Sequence, residues 1–147
     1  MKPEINATRV DKGRATARTD DSTLKNALRA VEIVLEKKGL QPTLLDVRDL
    51  ASYTDFILVV SGRSDRQVQA IADGLVAAFK AEGKRPLGTE GAKNGQWMLL
   101  DFGDLIAHVF YHPAREYYNL ESLWIDAPRV PIDIPEDARV RADELFE

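Results

Sequence analysis

The sequence predicts a mixed α/β domain, an α+β arrangement with a sheet of about five strands and flanking helices. Three observations predict it. Apolar residues recur at steps of three and four in two separate segments, as on one-sided helices. Between those segments Phe56-Ile57-Leu58-Val59-Val60 is an unbroken, β-branched apolar run, the pattern of a central strand buried on both faces. Two more apolar runs, Trp97 to Leu100 and Leu105 to Tyr111, then flank the turn-forming Asp101-Phe102-Gly103-Asp104.

Each element follows from its own residues. Residues 1–20 lack large apolar periodicity and read as a disordered basic arm. Their Arg and Thr content resembles an organelle presequence, but Glu4, Asp11 and Asp20 argue against one. Ser22 suits an N-cap, followed by the stripe Leu24, Ala27, Leu28, Val31, Val34 and Leu35, which Gly39 and Pro42 end. Leu44 to Val47 reads as a short strand, and Ser61-Gly62 closes the central one. Ser64 and Gln67 fit a capping box ahead of Val68, Ile71, Ala72, Leu75 and Phe79. Leu87 to Thr89 is a candidate strand. Pro113 suits the first turn of a helix carrying Tyr117, Tyr118, Leu120, Leu123 and Trp124. The stretch 126–147 reads as a Pro-containing acidic tail that ends in a loose helix. The domain proper is thus expected at 21–125.

At 147 residues one domain is expected. The absence of cysteine excludes disulfides, thiol catalysis and cysteine-based metal sites, and makes the cytoplasm the default location. No apolar run approaches the ~20 residues of a membrane span. Net charge is −4, divided as +2 over residues 1–20, −2 over 21–125 and −4 over 126–147. A mildly acidic domain fits a basic protein partner better than bare nucleic acid, so direct RNA contact is expected to be minor.

Candidate chemistry is sparse. The turn Ser61-Gly62-Arg63-Ser64 leads into a helix N-terminus, a possible phosphate site, but it lacks the second glycine and the Gly-Lys-Ser/Thr ending of a P-loop. A plain strand-to-helix turn explains it better. His108 and His112 lie four apart, a metal spacing on a helix but not on a strand; His108 is expected half-buried, bonding a carboxylate or carbonyl, or at an interface. Asp101 and Asp104 flank a turn and default to solvated residues rather than metal ligands. The remaining feature is an aromatic and acidic cluster: Glu90, Trp97, Asp101, Asp104, His108, Tyr117, Glu121 and Trp124. Trp and Tyr dominate binding hot spots because they bury large rigid areas while keeping a polar handle. For Trp124, core and interface are equally supported. Tyr117 and Tyr118, 100° apart on a helix, cannot both point inward. The same surface is compatible with homodimer formation.

Taken in order, several runs resemble the ribosomal silencing factor (Iojap) family. They are Asp46-Val47-Arg48-Asp49, Thr54-Asp55-Phe56, Val60 to Val68, Thr89-Glu90-Gly91, Trp97 to Asp104, His108-Val109-Phe110 and Arg115 to Trp124. The resemblance spans roughly residues 22–127. It implies a nucleotidyltransferase-like fold used without catalysis, cofactor or metal. The Gly-Ser turn and downstream Asp-x-Asp of such enzymes are missing here, since Ser61-Gly62 reverses the pair. It further implies a translational repressor that binds the large ribosomal subunit through its basic protein numbered fourteen and blocks joining with the small subunit when nutrients are short. The rival expectation is a nucleotidyl- or phosphoryl-transfer enzyme using Asp101, Asp104 and the Ser64 helix terminus.

Overall fold

A computed structural model describes residues 22–91 and 95–140. The expected basic arm, residues 1–20, lies outside them. In chain order the elements are α1 (Ser22–Glu36), β1 (Leu40–Asp46), β2 (Phe56–Gly62), α2 (Asp65–Ala81), β3 (Gly88–Glu90), β4 (Trp97–Asp101), β5 (Leu105–Tyr111) and α3 (His112–Tyr118). Two 3₁₀ turns follow, Leu120–Trp124 and Glu136–Ala138.

Helix α1 buries Ala27, Ala30, Val31, Ile33 and Val34 along one stripe. It ends in a Schellman motif: Gly39 N–H donates to the Val34 carbonyl at 2.7 Å and Lys38 N–H to that of Leu35 at 3.0 Å. The left-handed residue is Lys38, with φ 68°, not Gly39. Gly39 is required for another reason, since a Cβ there would stand 2.8 Å from both the Val34 oxygen and Val60 Cγ2. Helix α2 starts as the sequence predicts. Ser64 Oγ accepts from Gln67 N–H at 3.1 Å, and the Gln67 side chain reaches back to Arg63 N–H at 2.8 Å, one residue earlier than a standard capping box.

The strands form a five-stranded mixed sheet in the order β1-β2-β5-β4-β3. Only β2 and β5 pair parallel; the other pairs are antiparallel. β2 is buried at every position, as its apolar run requires. Helices α1 and α2 both cover one face, where Leu44, Phe56, Leu58, Val60, Met98, Leu100, Ala107 and Val109 meet them. The larger core sits there. Alternate residues such as Leu45, Ile57, Val59, Trp97 and Phe110 point to the other face, whose smaller cluster is closed by Ala114, Leu120, Trp124 and Ala127.

Three differences from the sequence expectations have clear causes. The first strand runs Leu40–Asp46 rather than 44–47, so Pro42 lies within it instead of ending α1; the pairing register shifts between Leu40 and Thr43, where a strand tolerates proline. The last helix does not run on to Trp124. It stops at Tyr118, because Asn119 takes a left-handed conformation (φ 48°), and the chain resumes as a 3₁₀ turn. The stretch beyond residue 125 does not stand apart as a tail, as far as it is described. Asp46 N–H donates to Pro128 O at 2.9 Å, Val130 N–H to Leu44 O at 2.8 Å, and Leu45 bridges Arg129 antiparallel. Farther along, Val140 N–H donates to Gln41 Oε1 at 2.9 Å. The segment thus covers the outer edge of β1, satisfying groups that an edge strand leaves bare. Glu136–Ala138 forms a single 3₁₀ turn, and the rest of the expected loose helix, 141–147, lies outside the described residues.

Candidate functional site

Because both long helices sit on one side, the described residues that cover the other face come from α3, its following turn and the loops holding Ala51 and Ala127. Strand alternation sets Trp97 opposite Phe110, and Leu99 opposite His108, on this face. Trp97 stacks on Phe110 with ring centroids 4.8 Å apart, and Tyr118 from α3 closes on Trp97 at 4.9 Å. Tyr117 meets Tyr118 edge-on at 5.1 Å and is 81% exposed. The Trp97 indole N–H donates to His108 Nδ1 at 3.0 Å. Burial pushes the His108 pKa down to about 4, so the ring is neutral and its Nδ1 is free to accept. The arrangement is a rigid aromatic platform with an exposed tyrosine rim.

Beside it, toward β1, lies a buried polar knot. Arg115, 5% exposed, donates to the Glu121 carboxylate through two nitrogens, at 3.0 and 3.1 Å. It also donates to Gln41 O at 2.8 Å, Ser61 Oγ at 3.0 Å and Thr43 Oγ1 at 3.0 Å. Burial alone would raise the Glu121 pKa, but the Arg115 hydrogen bonds and charge outweigh it and hold the carboxyl below its ordinary value. His112 Nδ1 lies 2.7 Å from Ser61 Oγ. Burial, then the Arg115 charge, lower the His112 pKa, and the Ser61 hydroxyl that accepts from Arg115 also pairs with the His112 ring. The knot pins α3 and the Leu120–Trp124 turn to β1 and β2.

The predicted site residues therefore separate. Trp97 and His108 form the platform and Tyr117 its rim. Glu90 is exposed on β3, level with Leu99 on the same face. Asp104 is exposed at the far end of β5. Asp101 is not a free carboxylate: its Oδ1 accepts Gly103 N–H at 2.8 Å and shapes the turn, where Gly103 takes φ 90°. Trp124 is half-buried, with Tyr53 edge-on at 6.5 Å. His108 bonds an indole rather than the expected carboxylate or carbonyl, and it is buried rather than half-buried.

The residues of the enzyme alternative do not converge. Asp101 pairs with Ile106, which pairs with Ile57 at one end of β2; Ser64 follows Gly62 at the other. That separation is roughly 17 Å along the strand. Among the described residues no group of three or more His, Asp or Glu could hold a metal ion. Nor is any described helix long and apolar enough to cross a membrane.

A family model described as ribosomal silencing factor during starvation matches residues 20–145. The chain belongs to the ribosomal silencing factor family. It is 40% identical over 104 residues to a ribosomal silencing factor of Halalkalibacterium halodurans, covering 71% of this chain and 89% of that protein. With the Bacillus subtilis ribosomal silencing factor it shares 38% identity over 112 residues, 76% of this chain and 92% of the relative. A crystal structure of a Chromobacterium violaceum protein superposes with a TM-score of 0.69 at 31% identity, covering 78% of this chain and 94% of that one.

Within this silencing factor fold, sequence reasoning missed Arg115 and its acceptors Thr43 and Ser61. Nothing marks a buried arginine in a run such as Arg115-Glu116-Tyr117-Tyr118. The one available signal is the spacing to Glu121 across Asn119, a residue that readily turns left-handed. Glu121, expected among the partner contacts, has its carboxylate held by Arg115. The family match extends beyond residue 127, and so do the backbone hydrogen bonds to β1.

Proposed function

We propose that this chain docks on the large ribosomal subunit through its basic protein numbered fourteen and keeps the small subunit from joining, chiefly when nutrients are limiting. The observation that supports it best is the open sheet face, where a preformed aromatic platform stands between exposed acidic residues. Tyr117 and Tyr118 are the leading contacts, Trp97 and His108 hold them rigid, and Glu90 and Asp104 supply negative charge toward a basic partner. Trp124 extends the surface toward Tyr53 and Ile125. Asp101 fixes its own turn, and Glu121 holds Arg115 and with it α3. A standard interface of ~800 Å² per partner is within reach of this face.

Obstruction then supplies the mechanism, without turnover or cofactor, in the cytoplasm. Two bodies cannot fill the intersubunit gap together. Sedimentation of purified subunits with and without the protein tests it. Co-migration with the large subunit and loss of joined ribosomes is the expected result. Undiminished joining at saturating protein would refute the proposal.

A further inference from the structure

We infer that one corner of the domain, carrying Lys37, Lys38, Arg63 and Arg66, is a contact surface for the phosphate backbone of RNA. The inference rests on the docking proposed above and adds a second class of partner to it. Net charge hides this corner, because the domain as a whole is mildly acidic.

The four cations come from two chain segments tied together by one side chain. Gln67 donates through Nε2 to the Lys38 carbonyl at 2.8 Å, with the Lys37 carbonyl at 3.5 Å, while its Oε1 accepts Arg63 N–H at 2.8 Å. The end of α1 and the start of α2 are thereby fixed side by side. All four basic residues are exposed. Among the described residues none of the four forms an ion pair, in contrast to Arg29, Arg48, Lys84 and Arg115 elsewhere. Glu36 and Asp65 are the acidic residues of the same two segments, which leaves a local excess of positive charge.

Two details favour a built surface. Lys38 occupies a left-handed position that glycine takes freely, so a cation stands where the backbone would prefer none. The Lys37 stem lies along Gly74 of α2, where a Cβ would come within 2.8 Å of Lys37 Cε; the small residue opens a channel for that side chain. Gly62 pairs with Tyr111, immediately before α3, so the corner and the tyrosine rim share one end of the sheet. A protein seated by its open face beside RNA would present this corner to it. Phosphate-directed binding needs only such a cluster of unpaired cations, without base-reading groups.

The test compares wild-type protein with a triple variant, Lys38→Asn, Arg63→Glu and Arg66→Glu, at residues whose side chains are exposed. Asn keeps the left-handed conformation accessible. Binding to the purified large subunit is measured from 50 to 300 mM KCl, in parallel with binding to the isolated basic ribosomal protein. The expected result is at least a tenfold weaker complex with the subunit and a log–log salt slope shallower by about 2, as lost phosphate contacts predict. Affinity for the isolated protein should stay within a factor of two or tighten. An unchanged salt slope on the subunit overturns the inference while leaving the docking proposal standing. Equal weakening toward the isolated protein overturns it too, since the corner would then face acidic groups of a protein. Failure of wild type to bind the subunit removes both. An unchanged thermal midpoint for the variant excludes misfolding.

Discussion

Replacing Arg115 with Met gives the sharpest test of what holds the docking face in place. The methionine fills much of the same volume but leaves the Glu121 carboxylate without its two guanidinium hydrogen bonds. Thr43 Oγ1 and the Gln41 carbonyl lose a donor as well, while Ser61 keeps His112. Removing one partner of a buried ion pair costs about 3–5 kcal/mol; Glu121 is 20% exposed and keeps Thr43 and the Arg129 charge, which puts the cost at the low end, about 3 kcal/mol. Against a total stability of roughly 5–15 kcal/mol this is a large fraction. The melting temperature should fall on the order of 15 °C. Urea denaturation at pH 7 should show a lower midpoint with an unchanged m-value. Adding Glu121→Leu to the variant should restore about 1–3 kcal/mol by removing the orphaned charge. A loss below about 1 kcal/mol for Arg115→Met, or no recovery in the double variant, would refute the account of a buried pair that pins α3 to the sheet.

Other consequences are open to measurement. His108 is depressed to about 4 in the fold, against about 6.5 when unfolded. The unfolded chain therefore binds more protons between those values. The stability this group contributes is complete above pH 6.5 and is lost as pH falls toward 4. Urea melts at pH 7 and 5 should show this slope, and His108→Gln, which can still accept from Trp97, should flatten it. Lys38→Gly should raise stability by about 1 kcal/mol, read from the denaturation midpoint, because glycine adopts the left-handed turn without strain. Gly39→Ala should lower it by about 1–3 kcal/mol, since the new methyl meets backbone at 2.8 Å. Tyr117→Ala should leave the melting temperature within a degree or two yet weaken large-subunit binding by about 2 kcal/mol if it is a central anchor.

Legibility followed periodicity. The β2 run and the α2 stripe were readable because a buried strand and a one-sided helix each repeat a single spacing. The Ser64 cap was readable because the motif is local. The rest depended on particular side-chain and backbone hydrogen bonds, which leave no repeat in the sequence. Glu121 gives no sign in the sequence that Arg115 faces it across the Asn119 turn. Asp101 looked solvated until its carboxylate was found closing its own turn. The segment after residue 125 looked like a tail because prolines and acids dominate it. Its binding to β1 goes through backbone groups, which carry no residue signature. The candidate face itself was half legible: the aromatic residues were named from the sequence, but which pointed outward required the sheet register.

The cover laid over β1 also bears on how the molecule comes into being. Synthesis proceeds in chain order, so β1 is complete long before residues 128–130, which hydrogen-bond its outer edge, have been made. Its inner neighbour β2 likewise waits for β5, the parallel strand with which it makes the sheet centre. Until β5 is made, β1 and β2 have each other and the two long helices, and both flanks of the pair are bare. Non-local pairing of this kind slows folding and exposes unpaired edges to other chains. The growing polypeptide is therefore at its stickiest while still attached to the machine that makes it, and its β1 edge is covered only after its last described segment emerges.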